Sequence, residues 1–548
     1  MKFFKSRKYW LIFVVIFGFF SIQAITINRD KLYEIAKNLE IFTNIFKELN
    51  KNYVEEIDPA ILMKTGIDAM LASLDPFTNY ISEARVESFR ISTEGKYSGI
   101  GAVIREMDGG LVVFEIYEDS PALEAGMLLG DEVIEVNGQS TKEKSSDELT
   151  EFLRGAPGTE VELTIKRDGE DKPLKLNLLR KEITVPNVPH QQLIGDDIAY
   201  IHLSTFSENA GDNVKKALTQ LKADKKLNGI ILDLRSNGGG LLREAIAVCN
   251  VFVDNGLEIV STRGKVIERD MVYKTNVAPY DTTTRLVVLI DSRSASASEI
   301  VAGSVQDLDR GVLIGQKSYG KGSVQNTVEV GYNSRIKLTI SKYYIPSGRS
   351  IQSVKYNNGE PVDIPEKDRK TYYTRKGRAV TGGGGVIPDV VIPKKTNPDF
   401  VRFLINQHVI FKYVNQYYRA HDSIPGSEQF TFTGYNDFVK FYKGLDLKYK
   451  NDVERRFDQL KKSLEESDDD AVKQVNLSDL ESKLTTDIDQ LFEKYRKDIQ
   501  FEIEKEIISR YHFRKGRIQY SLRNDPELEK AVELLRNEKE YKQLLHII

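Results

Sequence analysis

The sequence predicts a multidomain α/β protein with an inserted, mostly β domain, helices on its N-terminal side and an α-helical C-terminal region. Three observations predict this. The runs Gly229-Ile230-Ile231-Leu232-Asp233-Leu234 and Leu286-Val287-Val288-Leu289-Ile290 are continuous and apolar, as buried parallel strands are, and helical stretches alternate with them. Residues 96–181 instead combine glycine-rich turns with alternating strands, and from Asn397 onward the chain turns helical and highly charged. A chain of 548 residues is too long for one compact core, so several domains are expected.

Residues 1–24 read as a signal peptide or signal anchor. Lys2, Lys5, Arg7 and Lys8 precede the apolar run Trp10 to Phe20, with Ser21 and Ala24 after it. Ile22 fits a small-x-small cleavage site poorly, so cleavage and retention as an anchor both stay open. The chain is therefore expected to be exported, either periplasmic or anchored in the inner membrane facing the periplasm. No cysteine follows the run, which excludes a lipoprotein. The single cysteine, Cys249, excludes an intrachain disulfide and a multi-cysteine metal site, and is expected to be a small core residue. A net charge of −3 leaves no basic footprint for nucleic acid.

Residues 25–95 form an N-terminal helical region. Leu32, Ile35, Leu39, Phe42, Ile45, Phe46 and Leu49 recur at steps of three and four, and Asp58-Pro59 opens a second such run. The unit at 96–181 is predicted from Ser98-Gly99-Ile100-Gly101-Ala102-Val103, Ser120-Pro121-Ala122 and the alternating Val161 to Lys166. The α/β unit spans 182–395. The C-terminal region, 396–548, includes a capping box at Ser478 and Glu481 and a predicted long helix through Leu480, Leu484, Ile488, Leu491, Tyr495, Ile499, Ile503 and Ile507, with Gly516 as its stop. Its pattern leaves dimerisation, packing on the α/β unit and binding of an adaptor protein open.

The candidate chemistry lies at Asp291 to Ile300. Small residues follow the strand Leu286–Ile290 and precede a helix, so a hydroxyl there would sit beside free N–H groups and the positive end of the helix dipole. A helix cap is the plain alternative. Ser296 needs a base, and Lys321 lies 25 residues on within Gly320-Lys321-Gly322-Ser323-Val324-Gln325. A lysine can serve as base when desolvation lowers its pKa. Were the segment an extended strand, Lys321, Ser323 and Gln325 would share a face. Gly238-Gly239-Gly240, at the exit of the strand ending at Leu234, can aim an N–H at an oxyanion. His202, in an apolar strand, is expected to be a satisfied core histidine rather than a base.

These segments, with Leu74-Asp75-Pro76, Asp233 to Gly240 and Tyr344-Ile345-Pro346-Ser347-Gly348-Arg349, resemble the C-terminal processing peptidases, or tail-specific proteases, over roughly residues 30–395. The resemblance implies a crotonase- or Clp-protease-like core and a Ser–Lys endopeptidase with Ser296 as nucleophile, Lys321 as base and Gln325 orienting the lysine. It implies an oxyanion hole from Ala297 and either Gly239 or Gly240. Asp307 matches an acidic position of the family, but near the end of a helix a structural role suits it better than direct chemistry. Residues 96–181 resemble a PDZ domain, in which the Gly99, Ile100, Gly101 and Ala102 loop would bind a peptide carboxylate. The partners that the resemblance implies are proteins or peptides with free apolar C-termini and, through the N-terminal helices, a homodimer, although the sequence of those helices shows only two amphipathic faces. No metal and no organic cofactor is expected.

Two other readings compete. Gly315 to Lys321 has the glycine and lysine spacing of a P-loop, but Gly322 stands where Ser or Thr should hold magnesium, and a strand pattern follows where a helix should. A non-catalytic PDZ scaffold on a protease-like fold would lack the Ser–Lys pair, which is present here.

Overall fold

The computed structural model describes residues 31–547 except 143, 224, 468, 470–476 and 485. The candidate signal segment lies outside the described residues. Among these, no helix is long and apolar enough to cross a membrane. The chain divides into two compact units, Met1–Tyr80 and Ile81–Ile548.

In the first unit, helix α1 covers 31–52 and α2 spans Pro59–Ala72. The Asp58 carboxylate accepts the amides of Ala60 and Ile61, and Pro59 occupies the first turn, where its missing N–H costs nothing. The apolar positions of α1 are exposed, Leu39 by 61% and Ile45 by 54%.

In the second unit, the β domain is a curled sheet of β1 (Ala102–Met107), β2 (Gly110–Ile116), β3 (Glu132–Val136), β4 (Glu160–Lys166) and β5 (Leu174–Leu179), paired antiparallel in that order. Helix α3 (Ser146–Leu153) starts at a capping box formed by Ser145 and Glu148 and buries Leu149 and Leu153 against the sheet.

The α/β core is a six-stranded sheet. Its strands are β6 (His190–Ile194), β7 (Ile198–His202), β8 (Gly229–Asp233), β9 (Arg285–Ile290), β10 (Val312–Gly315) and β11 (Val390–Val391), adjacent in that order. Only β6 runs antiparallel. Because side chains alternate across a strand, Ile201, Leu232 and Val288 face one side and Tyr200, Ile231, Val287 and Leu289 the other. The first side is covered by α4 (Ala210–Lys222), α5 (Leu242–Phe252) and α6 (Ala297–Asp307), with Cys249 fully buried among them.

The opposite side is covered by the chain's last helices, α8 (Pro526–Arg536) and α9 (Glu538–Leu544), through Leu528, Ala531, Leu534, Leu535 and Tyr541. The boundary expected at 395/396 therefore cuts between the sheet and helices that complete its core, and packing on the α/β unit is what this part of the C-terminal region does. A separate aromatic core, with Phe400, Tyr435, Phe438, Phe492 and Ile503, holds the rest together.

The single long helix expected from Leu480 to Ile507 is instead three: Ser478–Leu484, Ile488–Lys494 and α7, Arg496–Ser521. Asp487 restarts the chain by accepting the amides of Asp489 and Gln490. Nor does Gly516 stop the helix. It lies inside α7 after a kink at His512 and Phe513, where a Cβ would come within 2.3 Å of His512 Cβ. The β domain also touches the helical region: Phe114 stacks on Phe411 at 4.5 Å and Asp108 pairs with Lys412 at 2.6 Å.

Candidate active site

Ser296 occupies the corner between β9 and α6 at φ +56°, ψ −114°, a conformation that favours glycine. The loop before it is tied to the exit of β8. Asp291 accepts the Ser236 amide, Ser294 Oγ donates to the Leu234 carbonyl, and the Asn237 carbonyl accepts both the Ala295 amide and Ser298 Oγ. Every residue of α6 is buried, so the corner rests on a fixed base.

Buried Glu299 organises the pair predicted from sequence. Its Oε2 accepts the amide of Ser296 at 2.8 Å and that of Lys321 at 2.9 Å. Its Oε1 accepts Ser318 Oγ at 2.5 Å and the Gly320 amide at 2.7 Å. Burial pushes this carboxyl up to about 7, against the pull of those donors.

Lys321 and Gln325 do not form one extended face. The ladder between Ser323–Gly331 and Ser334–Tyr344 begins only at Ser323, and its register shifts between Val324 and Gln325. The cause is visible in the amides of 320–322: two go to Glu299 and the third to Gln352, so none enters a ladder. Lys321 is half-buried. The Gln325 carboxamide donates to Ser323 Oγ at 2.9 Å and Thr339 Oγ1 at 3.2 Å.

The glycine loop meets the serine closely. A Cβ on Gly239, at φ +102°, would lie 2.8 Å from Ser296 Cβ and 3.0 Å from the Ala297 nitrogen. The Gly239 N–H itself donates to Asn237 Oδ1 at 2.9 Å. Gly240, at φ +148°, passes so near Phe206 that a Cβ would meet its carbonyl at 2.4 Å. Just upstream, Arg235 bonds Asp233, Asp525 and Glu527, joining this loop to the start of α8. Burial opposes ionisation of Asp233, but Arg235 holds it down at about 2.

Asp307 does no chemistry at Ser296. It pairs with Arg349 at 2.8 Å, both fully buried, and accepts the Ser347 amide, which pins the 346–349 turn. His202 is not satisfied as expected: its Nδ1 is buried with no hydrogen-bond partner among the described residues, and the residue, at the end of β7, borders a cavity of about 920 Å³. Burial lowers its pKa.

In the β domain, Gly99, Ile100 and Ala102 line a cavity of about 200 Å³ with Ile104, Thr150 and Leu153, between β1 and α3. Gly101 turns behind it at φ +78°, where a Cβ would meet Ser120 Cβ at 2.3 Å.

Sequence reasoning missed Glu299, Asn237 and Tyr343. Glu299 did carry a signal, the serine-to-glutamate spacing of a capping box, although its reach to residues 318–321 depends on the tertiary fold.

A strand-to-helix serine and the backbone amide of a lysine share one carboxylate beside a glycine loop, an arrangement that fits the class of serine peptidases, while the β domain fits a PDZ domain. Family models agree: residues 197–361 match peptidase family S41, 98–178 a PDZ domain, and 400–535 the C-terminal helical domain of a probable PDZ-protease. The chain is 37% identical over 350 residues to the carboxy-terminal-processing protease of Bartonella bacilliformis, covering 63% of this chain and 80% of that protein. It is 33% identical over 333 residues to a probable CtpA-like serine protease of Staphylococcus aureus, covering 60% and 66%. The photosystem II D1 C-terminal processing protease is a similar solved structure, with 25% identity, a TM-score of 0.36 and coverage of 65% of this chain and 93% of that one. The chain belongs to the carboxy-terminal-processing protease family. It is a serine endopeptidase that recognises protein C-termini through its PDZ domain.

Proposed function

We propose that hydrolysis proceeds by a Ser–Lys mechanism. Lys321, neutral when desolvated by bound substrate, takes the proton of Ser296 Oγ as the oxygen attacks the peptide carbonyl. The oxyanion is held by the amides of Ala297 and Gly240, since that of Gly239 is engaged by Asn237. Collapse of the intermediate passes the proton to the leaving amine, and water then hydrolyses the acyl-enzyme. Gln325 orients the lysine. Neither metal nor organic cofactor enters these steps. The observation that carries the reading is the sharing of Glu299 Oε2 by the backbones of Ser296 and Lys321. Ser296→Ala and Lys321→Ala should each lower peptide turnover at least about a thousandfold in folded protein, and substantial activity in either would reject it.

Gly99, Ile100, Gly101 and Ala102 are proposed to take the terminal carboxylate, with apolar side chains entering the cavity beside Leu153. The basic and apolar 1–24 segment supports export to the periplasm, with or without retention in the inner membrane; fractionation of cells making the full chain tests this. The exposed apolar face of α1 supports a homodimer, tested by mass in solution with Leu39→Glu. An adaptor remains a third partner class, to be sought by crosslinking to the helical region.

A further inference from the structure

Ser296 and Lys321 both need their main chains fixed. The serine stands in a backbone conformation that is strained for a non-glycine residue and persists only where its surroundings over-determine it. The lysine lies between two glycines, Gly320 at φ +90°, on a segment outside any ladder. Glu299 holds the amide of each. The Ser296 carbonyl accepts the amides of Glu299 and Ile300 at 2.9 and 3.0 Å, and one side chain reaches both this carbonyl and that of Lys321. The phenol of Tyr343, 1% exposed, lies 3.2 Å from the Ser296 carbonyl and also bonds the Lys321 carbonyl. The Tyr343 amide in turn donates to the Gly322 carbonyl at 3.0 Å, so main chain and side chain of one residue bracket the lysine.

We propose that Tyr343 is a positioning residue whose hydroxyl, shared between the carbonyls of Ser296 and Lys321, sets the separation of nucleophile and base. One O–H proton serves two acceptors, with the closer contact to the Lys321 carbonyl, so the phenol ties the lysine main chain to the start of α6. Burial and the neighbouring Glu299 charge both raise the phenol's pKa well above its usual value, so the group stays a donor throughout the working range. The ring packs in the core with Ile345 and Ile351 and leaves no room for the hydroxyl to turn to solvent. Tyr343 touches no reacting atom and acts only through the residues it holds.

The inference rests on the Ser–Lys reading, and the test separates the two. Tyr343→Phe removes one oxygen from the full-length protein. Turnover of a peptide substrate should fall about tenfold in kcat with KM unchanged, and labelling of Ser296 by a fluorophosphonate should slow by a similar factor. Binding of a free C-terminal peptide to the PDZ domain should be unaffected. Tyr344→Phe, which removes the hydroxyl of the next residue on the opposite face of the strand, should keep full activity. Replacing Tyr343 by 4-aminophenylalanine restores a donor, should recover most of the lost rate, and keeps the test decisive if the phenylalanine variant folds poorly. Full kcat and labelling in Tyr343→Phe, or a loss that the amino analogue does not repair, would overturn the proposal. Activity in Ser296→Ala would instead overturn the mechanism on which it rests.

Discussion

The phenol of Tyr541 donates to the carbonyl of Leu286 at 3.0 Å and accepts the amide of the same residue at 2.9 Å, across 255 positions of sequence. Leu286 is the second residue of the strand that leads to Ser296, so the last helix is fastened to the strand under the candidate active site. Tyr541→Phe should leave the buried Leu286 amide unpaired and lower stability by about 1–3 kcal/mol, read as a drop in Tm, with turnover per folded molecule retained.

Removing residues 396–548 is correspondingly severe. It strips Leu528, Leu534, Leu535 and Tyr541 from one face of the core sheet and frees Arg235 from Asp525 and Glu527. The truncated chain should be insoluble or lack a cooperative thermal transition. A soluble truncated protein with a sharp melt and normal peptide cleavage would show that the sheet tolerates an uncovered face.

Much of the site was legible in the sequence because its signals are local. A serine beside a strand-to-helix corner, a lysine between glycines and three glycines after a strand can each be read within ten residues. What stayed hidden depends on distant segments meeting: Glu299 finds 318–321, Tyr343 reaches back to Ser296, and Tyr541 reaches Leu286. The misread long helix failed differently. Its apolar spacing continues across Asp487, where a side-chain cap outcompetes helix continuation.

Acidity should expose Glu299. Its carboxyl titrates at about 7, above the ordinary value of 4.5, so the folded state holds a proton that the unfolded state has lost between those limits. Stability therefore declines as pH rises from about 4.5 to about 7. Activity should move the other way, rising through pH 7, because the ionised carboxylate accepts the amides of Ser296 and Lys321. Glu299→Gln should flatten the stability decline and lower kcat. Equal slopes for the two proteins in pH-dependent denaturation would refute this.

Substrate selection should depend on a charged terminus. If the Gly99 to Ala102 loop takes the carboxylate as proposed, amidating the C-terminus of a peptide removes a charge-assisted bond to it, and binding should weaken about tenfold or more. Matched free-acid and amidated peptides are compared by calorimetry and by cleavage rate; equal values for both would remove the loop as the reader of the carboxylate.

The left-handed backbone of Ser296 has a consequence for how this protein ages and evolves. Glycine would adopt φ +56° freely, so Ser296→Gly should melt at a higher temperature than the wild type while cutting nothing. The active chain is then the less durable of the two, and random mutation selected for robustness alone would drift toward an inert, hardier descendant. On the proposed mechanism, the demand for proteolysis is what keeps a serine in that posture.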